Sequence, residues 1–92
     1  MHKLYIISYN GSNSSAIKET VKLHGAWFSH FDNQYLLCST SNIATIKSAL
    51  DTKIVQGVDR LLILEVELKE VKGWINKNGW DWIKNQREKL KH

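Results

Sequence analysis

A chain of 92 residues and 10.7 kDa, with 42% hydrophobic and 24% charged residues, has the apolar material for one folded core and too much of it for a disordered segment. Its single cysteine, Cys38, excludes an internal disulfide framework and a thiolate-rich metal site, and no run of about 18 apolar residues reads as a membrane span. The formal net charge of +4 is lodged wholly in residues 69–92, because the acidic and basic side chains of residues 1–68 cancel, so the body of the chain lacks the cations with which a sheet would grip a duplex.

Residues 3–9, β-branched and aromatic, predict a central strand bounded by the turn dipeptide Asn10-Gly11. Ser12, Asn13, Ser14 and Ser15 offer a loop and N-caps for a helix that runs to about His24 and ends at Gly25, with Ile17, Val21 and Leu23 on its apolar face. Residues 26–31 and 34–39 predict two strands joined through Asp32-Asn33, which suits a tight hairpin. Thr40 or Ser41 is expected to cap a second helix whose Ile43, Ile46 and Leu50 share one face. A last strand is expected over Arg60 to Leu68, with Leu62, Leu64, Val66 and Leu68 on one side and Leu61, Ile63, Glu65 and Glu67 on the other. The order β-α-β-β-α-β is the split βαβ pattern of a ferredoxin-like α+β sandwich over residues 1–68. Residues 69–92 read as a Trp-rich basic segment of the same compact unit. Asn76 caps a third helix there, with Gly79, Trp82, Ile83, Gln86 and Leu90 on its docking side.

Several short motifs carry a family resemblance. The strand Tyr5-Ile6-Ile7-Ser8-Tyr9-Asn10, the segment from Gly25-Ala26-Trp27-Phe28 to Asp32-Asn33-Gln34-Tyr35-Leu36-Leu37, the stretch Asp59-Arg60-Leu61-Leu62 and the Gly79-Trp80-Asp81-Trp82 end resemble the small ferredoxin-fold subunit of the CRISPR adaptation complex and its compact non-CRISPR relatives. The resemblance implies a homodimer. It also implies that nuclease-active members hold a divalent metal through paired acids of the first strands. The matching position here is Asn10, and an amide supplies no anionic oxygen for a hard cation. Metal-dependent cleavage is therefore not expected, and neither a metal nor any other cofactor is.

Three constellations remain as candidate binding sites. The small polar loop Asn10-Gly11-Ser12-Asn13-Ser14-Ser15, with Tyr9 before it, ends at a helix N-terminus that could receive an anion; the plainer reading is a capped loop, and the spacing and lysine of a P-loop are missing. His30 stands two residues before Asp32, close enough to share a strand face, although a structural histidine accounts for it as well. Trp80, Lys84, Arg87 and Lys91 form a helical stripe in which an aromatic ring joins three cations, suited to an acidic or phosphate-bearing partner or else simply solvated. The aromatic residues of the strands lack neighbouring basic residues and serve packing or a dimer interface better than base stacking.

The expected function is that of a cytoplasmic, non-catalytic homodimeric binding or assembly protein, with nucleic acid or a protein as partner and no membrane association. Two alternatives stand beside it. One is a metal-dependent nuclease using Asp32 or Asp59 in place of the missing acid. The other is a small-nucleotide binder holding an anionic ligand in the dimer cleft beside the Asn10–Ser15 loop.

Overall fold

The computed structural model describes residues 1–90. Its elements are β1 (Lys3–Asn10), α1 (Ser14–Lys22), β2 (Ala26–Phe31), β3 (Gln34–Ser39), α2 (Ile43–Asp51), β4 (Arg60–Val66) and α3 (Lys77–Leu90). The four strands form one antiparallel sheet in the order β2-β3-β1-β4, leaving β2 and β4 as its edges. The chain is thus a small α+β domain with three helices.

Strand alternation divides the sheet into two unlike faces. Tyr5, Ile7 and Tyr9 of β1 and Tyr35 and Leu37 of β3 point to the first face. There they meet Ile17 and Val21 of α1 and Ile46 and Leu50 of α2 in one buried cluster. Trp27, Leu61, Ile63 and Ile54 pack around its rim. The Tyr5 hydroxyl is buried with a partner, donating to the Ser41 carbonyl at 2.8 Å. On the second face lie Leu4, Ile6, Leu36, Val66 and the buried thiol of Cys38, and α3 lies across part of it through Gly79, Ile83 and Gln86. Leu62 and Leu64, the outer residues of β4 on this face, remain 56% and 46% exposed.

Three expectations are corrected by local geometry. First, α1 stops at Lys22 rather than His24, because the Leu23 and His24 N–H groups tighten the last turn onto Thr20 and Val21. Gly25 follows with φ +154°, where a β-carbon would strike the Cys38 carbonyl. Second, the cap of α2 is Asn42, whose Oδ1 accepts from Thr45 N–H at 2.8 Å. Thr40 and Ser41 lie before the cap, and Ser41 N–H donates instead to the Ser39 hydroxyl. Third, β4 ends at Val66, since Glu67 and Leu68 have no partner strand beyond Leu4. The expected hairpin forms, with Asp32-Asn33 as its two-residue turn and no positive φ, and the register of β2 slips by one residue between Phe28 and Phe31. Ser29 secures that irregularity by sharing its one hydroxyl proton between the Phe31 and Gln34 carbonyls. No helix among the described residues is long and apolar enough to cross a membrane.

Candidate functional site

The Asn10–Ser15 loop is organised from within. Because odd positions of β1 face the helices, Tyr9 is drawn into the core, and its hydroxyl donates to Asp59 Oδ2 at 2.8 Å while accepting from Asn13 N–H at 2.9 Å. Asp59 Oδ2 also accepts from Val55 N–H at 3.0 Å, and the Asn13 side-chain amide donates to the Lys53 carbonyl at 2.9 Å. Two connections far apart in sequence, β1–α1 and α2–β4, are thereby latched together. Gly11 permits the closure, since a β-carbon there would collide with the Asp59 carboxyl and the Tyr9 hydroxyl. The Val55 N–H and then the Tyr9 hydroxyl hold the Asp59 carboxyl below its usual range, while burial above all pushes the Tyr9 phenol up.

What this leaves for a ligand is small. Ser14 and Ser15 line an open depression of about 240 Å³ with Lys18, Ser29, Asp32 and Tyr35, in which the Asp32 carboxylate offsets the Lys18 ammonium. Ser12 and Gly11 are exposed above Asp59. Asn10 belongs to the other face, where it pairs across the sheet with Arg60 and shares a shallow hollow with Ser8 and Leu62.

His30 and Asp32 are not brought together. Asp32 lies beside α1, whereas the His30 ring packs on Phe28 at 4.5 Å between centroids and against Gly79 of α3. Burial there lowers the His30 pKa and favours the neutral ring. Among the described residues a divalent cation of the kind the resemblance implies finds no fitting site: Asn10 has Arg60 as its cross-strand neighbour, Asp59 is engaged by Tyr9 and Val55, and Asp32 shares its depression with Lys18. Among the described residues no cluster of three metal-ligating side chains occurs.

The basic stripe of α3 is divided. Trp80 is half-buried and Lys84 is exposed. Arg87 turns into an open groove of about 420 Å³ that it shares with Lys3, Lys69, Glu65 and Glu67, so that its charge is set among carboxylates. Lys3 pairs with Glu65 at 3.7 Å and Lys69 with Glu67 at 3.3 Å. Lys91 lies outside the described residues.

The most unusual environment is one that sequence reasoning passed over. Between α3 and the second face, Leu4, Ile6, Leu36, Val66, Trp82 and Ile83 line a partly open cavity of about 230 Å³, to which Glu67, Glu70 and Gln86 also contribute. Gln86 is 6% exposed, and its Oε1 has no hydrogen-bond partner among the described residues. The available signal was a glutamine in the middle of the apolar side of a helix. No protein-family model and no curated protein sequence matches the chain.

Proposed function

We propose that this protein is a non-catalytic, homodimeric assembly module of ferredoxin-like topology, akin to the small subunit of the CRISPR adaptation complex, which works by binding in a reducing cytoplasm. One observation carries the reading: edge strand β4 presents Leu62 and Leu64, 56% and 46% exposed, on the half of the second face that α3 leaves open. An edge strand with apolar side chains and free backbone groups is a template for pairing with another chain. A two-fold contact of β4 with β4 would satisfy both at once. Read from the β4 edge, the strand order is 4-1-3-2, with α1 and α2 packed together on the first face, which supports the ferredoxin-like topology. The engagement of Asp59 and the pairing of Asn10 with Arg60 favour assembly over metal-dependent cleavage. Lys84, exposed on α3, is the cation best placed to meet a nucleic-acid partner.

Light scattering at tens of micromolar tests this. The expected mass is twice 10.7 kDa, with at least about 1,200 Å² buried in total. Leu62→Lys combined with Leu64→Lys is expected to yield a folded monomer. A monomeric wild-type mass overturns the proposal, as does cleavage of RNA or DNA by the purified protein in Mg²⁺ or Mn²⁺.

A further inference from the structure

The depression beside the first turn of α1 gathers more hydrogen-bonding groups than the fold uses. Ser14, Ser15 and Lys18 of α1 line it from one side, and Ser29, Asp32 and Tyr35 of the β2–β3 hairpin from the other. Tyr35 is the decisive member. It is 4% exposed, so almost the whole side chain lies in the core of the first face. Yet its hydroxyl, unlike those of Tyr5 and Tyr9, has no hydrogen-bond partner among the described residues. Nor is that hydroxyl sealed in, since the fully covered polar atoms without a partner among the described residues are Asp59 Oδ1 and Gln86 Oε1. A phenol buried to its tip, and open there to a polar depression, is a donor held ready for something outside the fold. Burial, and then the Asp32 charge, push its pKa up, so it keeps its proton at neutral pH.

The helix alongside is short of a cap. The Asn13 side chain stands at the N-cap position but donates to the Lys53 carbonyl and makes no cap hydrogen bond. The first helical bond runs from Ile17 N–H to the Asn13 carbonyl, so the N–H groups of Ser14, Ser15 and Ala16 have no acceptor within the helix. Lys18 is in no ion pair among the described residues, and its ammonium stands 5.3 Å from the Trp27 ring centroid. On the hairpin side the balance reverses. The Phe31 and Gln34 carbonyls take the Ser29 proton and leave its oxygen to accept, and the Asp32 carboxylate only accepts.

A ligand suited to both sides carries an anionic group with several acceptor oxygens at one end and a donor at the other. A phosphoryl group brings three strong acceptor oxygens, one more than a carboxylate, and helix N-termini receive it well. We infer that the depression binds a small hydroxylated phosphate monoester, with the phosphoryl group at Ser14, Ser15, Lys18 and the Tyr35 hydroxyl, and a ligand hydroxyl donating to Asp32. The site is complete in one copy and stands whether or not the chain dimerises. Asp32 sets the selectivity, because its charge opposes a bare phosphate ion and favours an ester that brings a hydroxyl.

The experiment is an NMR amide-shift titration of the full chain with glycerol phosphate, inorganic phosphate, glycerol and L-serine, each variant's fold being checked by circular dichroism. Glycerol phosphate is expected to shift the Ser14, Ser15, Ala16 and Lys18 amides and to saturate at about 1–10 mM, the range open to so small a ligand. Inorganic phosphate is expected to bind about three- to tenfold more weakly, and Asp32→Asn to narrow that gap. Lys18→Gln should weaken the ester by about tenfold or more, and Tyr35→Phe by about three- to tenfold. Tyr35→Phe should leave the thermal midpoint of the ligand-free chain unchanged, because the hydroxyl it removes bonds to nothing in the fold. Lys22→Gln is the control: Lys22 also stands over Trp27, at 5.1 Å, but does not line the depression, and its loss should leave binding unchanged. No saturable shift with glycerol phosphate overturns the site. Equal losses in Lys18→Gln and Lys22→Gln overturn it too, since they mark diffuse attraction to a basic surface. Inorganic phosphate or glycerol binding as tightly as the ester, or L-serine displacing it, overturns the ligand class.

Discussion

The two faces of the sheet are built from the same kinds of residue but reach different degrees of completion. On the first face, β1 and β3 contribute Tyr5, Ile7, Tyr9, Tyr35 and Leu37, and two helices close over them until none is more than 4% exposed. The Tyr5 hydroxyl is matched by Ser41 and the Tyr9 hydroxyl by Asp59 and Asn13, while Asp59 Oδ1 at the edge of this face is buried without a hydrogen-bond partner among the described residues. The second face has a single helix. It retains a cavity, an unpartnered glutamine oxygen and two exposed leucines. The contrast separates two roles: the first face makes the fold, and the second keeps surface that a further chain can cover.

The largest expected effect falls on the complete face. Leu50→Ala removes a side chain with no exposure from the packed cluster and should cost about 2–5 kcal/mol in a denaturant titration; a loss under about 1 kcal/mol would mean that the first face is no better packed than the second. Next comes the latch. Gly11→Ala forces a methyl group against Asp59 and Tyr9 and should cost about 1–3 kcal/mol by opening the β1–α1 loop, measured by the same titration.

A pH series divides the faces by a different route. The folded-state pKa of His30 is lowered from 6.5 by burial beneath α3, so its contribution is complete above pH 6.5 and is lost as pH falls through the lowered value. Thermal midpoints should therefore decline just below pH 6.5, and His30→Gln should flatten that part of the curve. Asp59 is lowered from 3.8, and its contribution disappears at lower pH still, with the first face rather than with α3. Smallest of all is Leu64→Ala, expected to change the stability of the chain by less than about 1 kcal/mol because the side chain is already 46% exposed. Thermal melts at low protein concentration measure it.

Much of the first face was legible in the chain. Alternation in residues 3–9 and the i, i+3, i+7 spacing of Ile43, Ile46 and Leu50 locate β1 and α2, and the helical wheel of the tail already places Gly79, Ile83 and Gln86 on the buried side. Periodicity reports which way a side chain points, and that is enough for these elements. It does not report partners distant in sequence. The Tyr9–Asp59 bond joins residues 50 apart, and nothing at either position announces the other. The same limit explains His30 and Asp32, two residues apart on paper, which the strand end and the register slip of β2 assign to different surroundings. Asn42 rather than Ser41 caps α2 because the Ser41 carbonyl is taken by Tyr5 and its N–H by Ser39, contacts made across the fold.

The thiol of Cys38 lies on the second face of β3, 2% exposed, between Ala26 and Leu4 in the strand ladder, with burial pushing its pKa up. A group so placed reacts only in moments when its roof has lifted, and then only through the small thiolate fraction available. The domain thus contains a natural clock for the excursions of α3. Electrophile capture at Cys38 counts undocking events one by one, while the hydrogen-exchange protection of Ile7 and Leu37 on the opposite face counts only the rarer openings of the whole sheet.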